Sequence, residues 1–153
     1  KLAYGVTLSD GRGETSLTGK KPVVIRFKGA VPAAVLIPHI LIMFAGMLFS
    51  TRAGLEAAAR GGKTRAYASW AFGLLFAGGL ILGPIVQKLA FGAYWTGFPL
   101  GRDLTDTKTL ATIAFWIAAV VAGRKGRPAR GWILAASLVT LAVYLIPHSL
   151  LGS

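Results

Sequence analysis

Histidine occurs twice in this chain, each time closing the tetrapeptide Leu-Ile-Pro-His, at Leu36–His39 and Leu145–His148. Imidazole is the commonest nitrogen ligand for metal ions and haem iron, and it also handles protons near neutral pH. Both histidines lie inside long apolar runs, where an imidazole is costly unless a partner meets it. Two readings stay open. In one, His39 and His148 form a ligand or proton-handling pair. In the other, Pro38 and Pro147 each remove a backbone donor and free the carbonyl four residues earlier, at Ala34 and Val143. The adjacent imidazole then bonds such a carbonyl or an interhelical water.

A second cluster of candidate chemistry lies between the histidines. The segment Phe91–Thr109 combines aromatic residues, glycines and a charged end: Tyr94, Trp95, Arg102, Asp103 and Asp106. Asp106 is placed to cap a following helix by accepting from first-turn amides. Asp103 and Arg102 are free to pair with headgroups, with each other or with a ligand. The aromatic, glycine-rich stretch suits either a flat cofactor or an interfacial aromatic belt. Asp103, Asp106, His39 and His148 are also the candidate ligands of a divalent metal site. The chain has no cysteine, which excludes thiolate metal sites, disulfides and covalent haem attachment within it. It has no HExxH, nucleophile elbow or phosphate loop.

The elements that must position these residues follow from composition. Apolar residues make up 54% of the 153 residues and charged residues 14%, well below the roughly 25% of soluble domains. The expected class is mainly α, an integral membrane protein with four transmembrane helices at about 30–51, 66–86, 106–123 and 131–151. Each has close to the ~20 residues needed to cross a ~30 Å core. The third is the shortest uncharged stretch, and Lys108 is expected to snorkel to the headgroups. Gly79 and Gly83 form a small-xxx-small pair that permits close helix approach.

Residues 1–28 read differently. Leu2, Tyr4, Val6 and Leu8 alternate with small or polar residues, as in a half-buried strand. Turn chemistry at Asp10–Gly13 precedes a return over Thr15–Thr18, and Pro22–Phe27 offers another strand. So few strands suggest either a surface hairpin or the last strands of an immunoglobulin-like sandwich whose others precede Lys1. The expected division is an extracytoplasmic β segment at 1–28 and a transmembrane domain at 29–153, with an outer loop at 87–105.

The net charge is +12. The basic residues sit in short connections, so anionic lipid headgroups are the expected counter-charge, and no nucleic-acid-reading motif is present. Arg52–Arg65 carries four basic residues and one acid, and Arg124–Arg130 four and none. The positive-inside rule puts both connections in the cytoplasm. Both termini then lie outside, in a bacterial inner membrane. On this topology His39 and His148 stand ~18 and ~25 Å above the cytoplasmic helix ends, the same half as the aromatic loop.

Gly92-Ala93, Trp95, Gly101 and Asp106-Thr107-Lys108-Thr109, flanked by His39 and His148, give the chain a resemblance to haem-handling membrane proteins of cytochrome c biogenesis. That family carries an outer tryptophan-rich loop ending near an Asp-Pro-Lys-Glu-Thr-like stretch, between two helix-borne histidines that hold haem. The resemblance implies haem b held by His39 and His148 beside Tyr94, Trp95 and Arg102. The family's dense Trp-Gly-x-x-Trp-x-Trp-Asp core is absent here, and Trp95 is the loop's one tryptophan. The chain is also similar to uncharacterised bacterial multi-spanning membrane proteins, which carry no activity over. Acidic residues are absent from the centres of the apolar runs, unlike a proton or ion transporter. The leading expectation is therefore a non-catalytic membrane subunit or scaffold associated with other membrane subunits. The alternatives are a haem-b or quinone site on the outer side, and a metal-dependent hydrolase or transferase.

Overall fold

A computed structural model describes residues 2–11, 13–19, 21–25, 27–124 and 129–146. The chain divides into two compact units, residues 1–30 and 31–153.

The first unit holds four short strands, β1 (Leu2–Tyr4), β2 (Thr7–Asp10), β3 (Gly13–Ser16) and β4 (Val23–Ile25). They form two separate antiparallel pairs: β2 with β3 in a hairpin, and β1 with β4. The apolar alternation from Leu2 to Leu8 is split into two strands at Gly5-Val6. The expected half-buried face is not formed, because every described strand residue is exposed.

The second unit is helical: α1 (Ala33–Ala58), α2 (Thr64–Phe76), a π-helical turn (Ala77–Leu82), α3 (Gly83–Phe91), α4 (Leu104–Ala122) and α5 (Arg130–Leu145). The segments α2, π-turn and α3 follow without a break, giving a 28-residue helical run, Thr64–Phe91. Three helices are long and apolar enough to cross a membrane: Ala33–Ala58, Thr64–Phe91 and Leu104–Ala122. The shorter α5 has 16 described residues, and the expected span to residue 151 runs outside the described ones.

Two helices outrun their expected ends for identifiable reasons. α1 continues through Arg52 and Glu56, which pair at 2.9 Å across one turn and so support the helix they were expected to leave. Gly83-Pro84 does not stop the second helix. Pro84 falls in the first turn of α3, immediately after the π-turn, where a missing N–H does least harm.

Small residues let the helices touch. Gly46, Ser50, Ala53, Gly54 and Ala57 form the buried edge of α1. A Cβ on Gly46 would lie 2.9 Å from a Leu75 methyl of α2, and one on Gly54 would collide with Ser137 of α5. On the π-turn, a Cβ at Gly78 would meet the Met43 sulfur at 2.7 Å, and one at Gly79 a Thr109 methyl at 2.8 Å. Close approach therefore involves Gly78 and Gly79, whereas Gly83, of the expected Gly79–Gly83 pair, meets only ordinary contacts.

At this distance short hydroxyls reach neighbouring backbones. Ser137 donates to the Ser50 carbonyl at 2.9 Å, and Tyr144 to the Met43 carbonyl at 2.7 Å. The indole of fully buried Trp116 donates to Thr140 at 3.0 Å, and Thr140 passes the bond to its own helix at Ala136. Interhelical hydrogen bonds of this kind average only about 0.6 kcal/mol each in membrane proteins, so close packing of the helices carries more of the stability.

Glycine-to-alanine exchange should therefore change sign with position. Gly73 on α2 has open space around it, so Gly73→Ala should gain up to about 1 kcal/mol of helix propensity. Gly54→Ala should lose about 1–3 kcal/mol by overpacking against Ser137. Melting of the two variants in the same detergent, followed by circular dichroism, checks this. Equal shifts would remove the close-approach account.

Candidate functional site

Segment 92–103, between α3 and α4, is a folded cap with its own hydrogen-bond order. α3 ends at Gly92, whose φ of 84° is left-handed, and Lys88 reaches back to bond the Gly92 carbonyl at 2.8 Å. The chain then turns over the N-terminus of α4. Asp103 is the N-cap residue: its carboxylate accepts from the amides of Thr105 at 2.8 Å and Asp106 at 3.2 Å. The capping role expected of Asp106 thus falls to Asp103, one turn earlier.

Asp106 points the other way. Its Oδ2 accepts from the backbone amides of Thr96 at 2.6 Å and Gly97 at 2.9 Å, and from the Thr96 hydroxyl at 3.4 Å. Gln87 of α3 donates to the same hydroxyl at 2.7 Å, and the Phe98 amide donates to Thr107 of α4 at 3.1 Å. Backbone bonds from Gly101 to Gly97 (2.8 Å) and from Asp103 to Thr96 (2.9 Å) close the loop. Space in this turn is tight. A Cβ on Gly97 would strike Asp106, and one on Gly101 would strike the Thr96 carbonyl. The glycines that suggested a flat-ligand surface are where the loop closes on itself.

The remaining loop candidates lie on its outside. Trp95 bonds the Phe98 carbonyl at 3.1 Å, a contact within the loop. Tyr94 is exposed, with the Lys88 ammonium 5.3 Å from its ring centre. Arg102 is exposed beside the cap.

Lys108 departs from expectation. It was expected to snorkel outward, yet it is only 7% exposed and donates to the Ile146 carbonyl at 3.1 Å, just past the end of α5. A cation there meets the carbonyl-rich, negative end of the helix. The bond ties the start of α4 to the end of α5.

His39 sits on α1, half-buried, with Nδ1 3.1 Å from the Gly78 carbonyl in the π-turn. Its Cε1 lies 3.9 Å from where a Cβ on Gly83 would be. The recorded bond therefore crosses between helices, rather than meeting the carbonyl freed by Pro38 on its own helix. Gly78 O also accepts from the Gly83 amide, the wide bond of the π-turn. His148 and Pro147 lie outside the described residues. Among the described residues, no three of the His, Cys, Asp and Glu side chains gather as a metal-binding group. The loop carboxylates Asp103 and Asp106 are joined to backbone amides and are not brought to His39 by any recorded bond.

A concave feature lies at the other end of α4. A cavity of about 380 Å³ opens between the start of α2, the end of α4 and the start of α5. Arg65, Arg124 and Arg130 line it, with Ala68, Ala119, Val120 and Ile133 on its apolar side. Sequence reading took these arginines one loop at a time, as headgroup contacts. Their convergence depends on the packing of three helices, which no local pattern announces.

Comparison with known proteins finds no matching family model, no matching curated protein and no matching solved structure.

The two loop aspartates should respond differently to the same exchange. Asp103→Asn keeps a good cap and should move the melting temperature by no more than about 2 °C. Asp106→Asn removes charge from two amide bonds and should lower it by roughly 4–8 °C. Thermal melts in detergent test the contrast. Indifference at Asp106 would mean that the cap does not depend on that carboxylate.

Proposed function

We propose that the helical unit is a non-catalytic, membrane-spanning subunit that offers helix surface to a larger bacterial membrane assembly. One observation carries this reading. Ile37, Leu41, Phe44, Leu48 and Leu55 are exposed on α1 and recur at spacings of four, three, four and seven residues. That rhythm makes an apolar stripe unbroken from Ile37 to Leu48 and resumed at Leu55, the pattern by which a helix seats against another helix. Small-residue packing, meanwhile, occupies the opposite, buried edge of α1. The polar groups of the unit add support. Asp103, Asp106, Lys108, Ser137 and Tyr144 all bond the chain's own backbone.

In this reading all four helical runs cross an inner membrane. The basic ends of α1–α2 and α4–α5 face the cytoplasm and the 92–103 cap faces out. The absence of native cysteine makes topology and neighbours directly measurable. A membrane-impermeant maleimide applied to spheroplasts should label Leu100→Cys and spare Gly62→Cys; the reverse pattern would invert the topology. Leu48→Cys in native membranes should give a bismaleimide crosslink to a different chain, whereas Trp70→Cys, off the stripe, should not. Migration of the tagged chain alone on blue-native gels, together with no stripe-specific crosslink, would overturn the subunit reading.

A second reading, a haem-b or quinone site using His39 and His148, keeps one observation in its favour. His39 meets a carbonyl in a π-turn. Such turns concentrate at functional sites, and carbonyls orient ligand imidazoles. The purified protein reconstituted with haem should then show a Soret band that disappears in His39→Ala/His148→Ala. No band in the unaltered chain would end that reading.

A further inference from the structure

The cavity between α2, α4 and α5 has the chemistry of an anion site built at the end of an apolar bundle. Arg65 comes from the first turn of α2, Arg124 from just beyond α4, and Arg130 from the first residue of α5. Among the described residues none of the three makes an ion pair; Arg52–Glu56 is the salt bridge recorded there. The acids of the helical unit are otherwise engaged. Glu56 holds Arg52 and the Lys63 amide, while Asp103 and Asp106 fold the cap at the opposite end of α4.

Arg130 supplies a more specific signal. Its Nη2 lies 3.4 Å from the Arg60 carbonyl, anchoring the side chain to the α1–α2 turn. Its Nε is buried and has no hydrogen-bond partner among the described residues. The side chain is thereby held at the cavity wall, where its charge faces any anion that enters. The helix ends add to the field. α2 and α5 both begin at this cavity, neither has a side-chain cap, and neither carries an acid in its first turn. The positive dipole end of α5 favours negative charge, while at the start of α2 the Glu56 carboxylate already accepts from the Lys63 amide.

The apolar side identifies the source of that charge. Ala68, Ala119, Val120 and Ile133 line the cavity beside the arginines, and exposed Val121 and Trp132 lie on the same helix ends. A small inorganic ion has no use for such a wall. A phosphate that carries hydrocarbon does.

We infer that this cavity binds the phosphodiester headgroup of an anionic membrane lipid, with the phosphate among Arg65, Arg124 and Arg130 and the glycerol and first methylenes along the apolar side. Basic pockets between transmembrane helices on the cytoplasmic side commonly take such headgroups. The inference rests on the membrane reading of the helical unit. Retention of the full chain in carbonate-washed membranes tests that reading separately.

The binding test uses the full chain, stripped of lipid in a neutral detergent and followed by thermal shift. Phosphatidylglycerol should raise the melting temperature saturably. Phosphatidylcholine with the same acyl chains, and inorganic phosphate, should not. In R65Q/R124Q/R130Q the apparent affinity for phosphatidylglycerol should fall on the order of a hundredfold. In K21Q/K28Q/R102Q, which removes equal charge elsewhere, it should change less than about threefold, on the scale of general surface attraction. R65K/R124K/R130K keeps the charge and guards against misfolding, and should retain an intermediate affinity. Equal shifts with the two lipids in the unaltered protein would overturn the inference without any variant. Saturation by inorganic phosphate at the same affinity would overturn the lipid assignment in favour of a free phosphate. Full binding in the triple glutamine variant would remove the arginines from the site.

Discussion

The buried edge of α1 sets the distances on which the helical unit depends. Gly46, Ser50 and Gly54 recur every four residues, so they stack along one line of the helix. With no side chain beyond a hydroxymethyl on that line, α2 and α5 come within reach of the α1 backbone itself. Burial of apolar area does little to drive helices together when the surrounding solvent is hydrocarbon; close packing does more. The hydroxyls of Ser137 and Tyr144 are useful only because of this proximity, since each must reach a carbonyl on α1. The π-turn is a second place of close approach. Gly78 and Gly79 admit Met43 from α1 and Thr109 from α4, and His39 bonds the Gly78 carbonyl within the widened turn.

At the two ends of α4 the same electrostatic rule is applied with opposite outcomes. The N-terminus of α4 needs acceptors, and Asp103 provides them within the chain. The next carboxylate, Asp106, then collects the amides of Thr96 and Gly97 and folds the loop down. At the other end, Glu56 accepts the Lys63 amide at the start of α2, and the start of α5 has no side-chain cap. Three arginines are added to the cavity there. One end is therefore internally neutralised and the other carries an excess of positive charge. That is the arrangement by which a membrane protein fixes its orientation to anionic headgroups.

The apolar helices were legible in the sequence because length and hydropathy are local quantities. Boundaries were less so. Arg52 and Glu56 look like the start of a polar loop, and only their i,i+4 pairing shows that they extend α1. Gly83-Pro84 looks like a terminator, and only the preceding π-turn makes the proline harmless. In the loop, residue types are visible in the sequence but their partners are not. Asp103 and Asp106 both suit a helix start, and which one caps depends on where the chain turns at Gly97 and Gly101. The spacing of Gly46, Ser50 and Gly54 is visible in the sequence as a small-residue repeat, a signal as strong as the Gly79–Gly83 pair. Lys108 and the arginine cavity could not be read at all. Each depends on elements tens of residues apart: Lys108 on Ile146, and Arg65 on Arg124 and Arg130.

Lys108 shows why polar residues in this unit need not mark a reaction centre. A lysine this near the start of an apolar helix has two ways to keep its charge satisfied: reach outward to headgroups, or find carbonyls inside. Just past the end of α5 the Ile146 carbonyl accepts from it by the inward route, while the nearby loop is closed over Asp106. Once taken, that route couples the α4 start to the α5 end, and the loop folded on α4 becomes linked to the helix that also begins the arginine cavity. Lipid seated at its basic end would stabilise the helix that the outer cap holds at its far end. The architecture in this way ties the cap at the start of α4 to the helix that lines the arginine cavity.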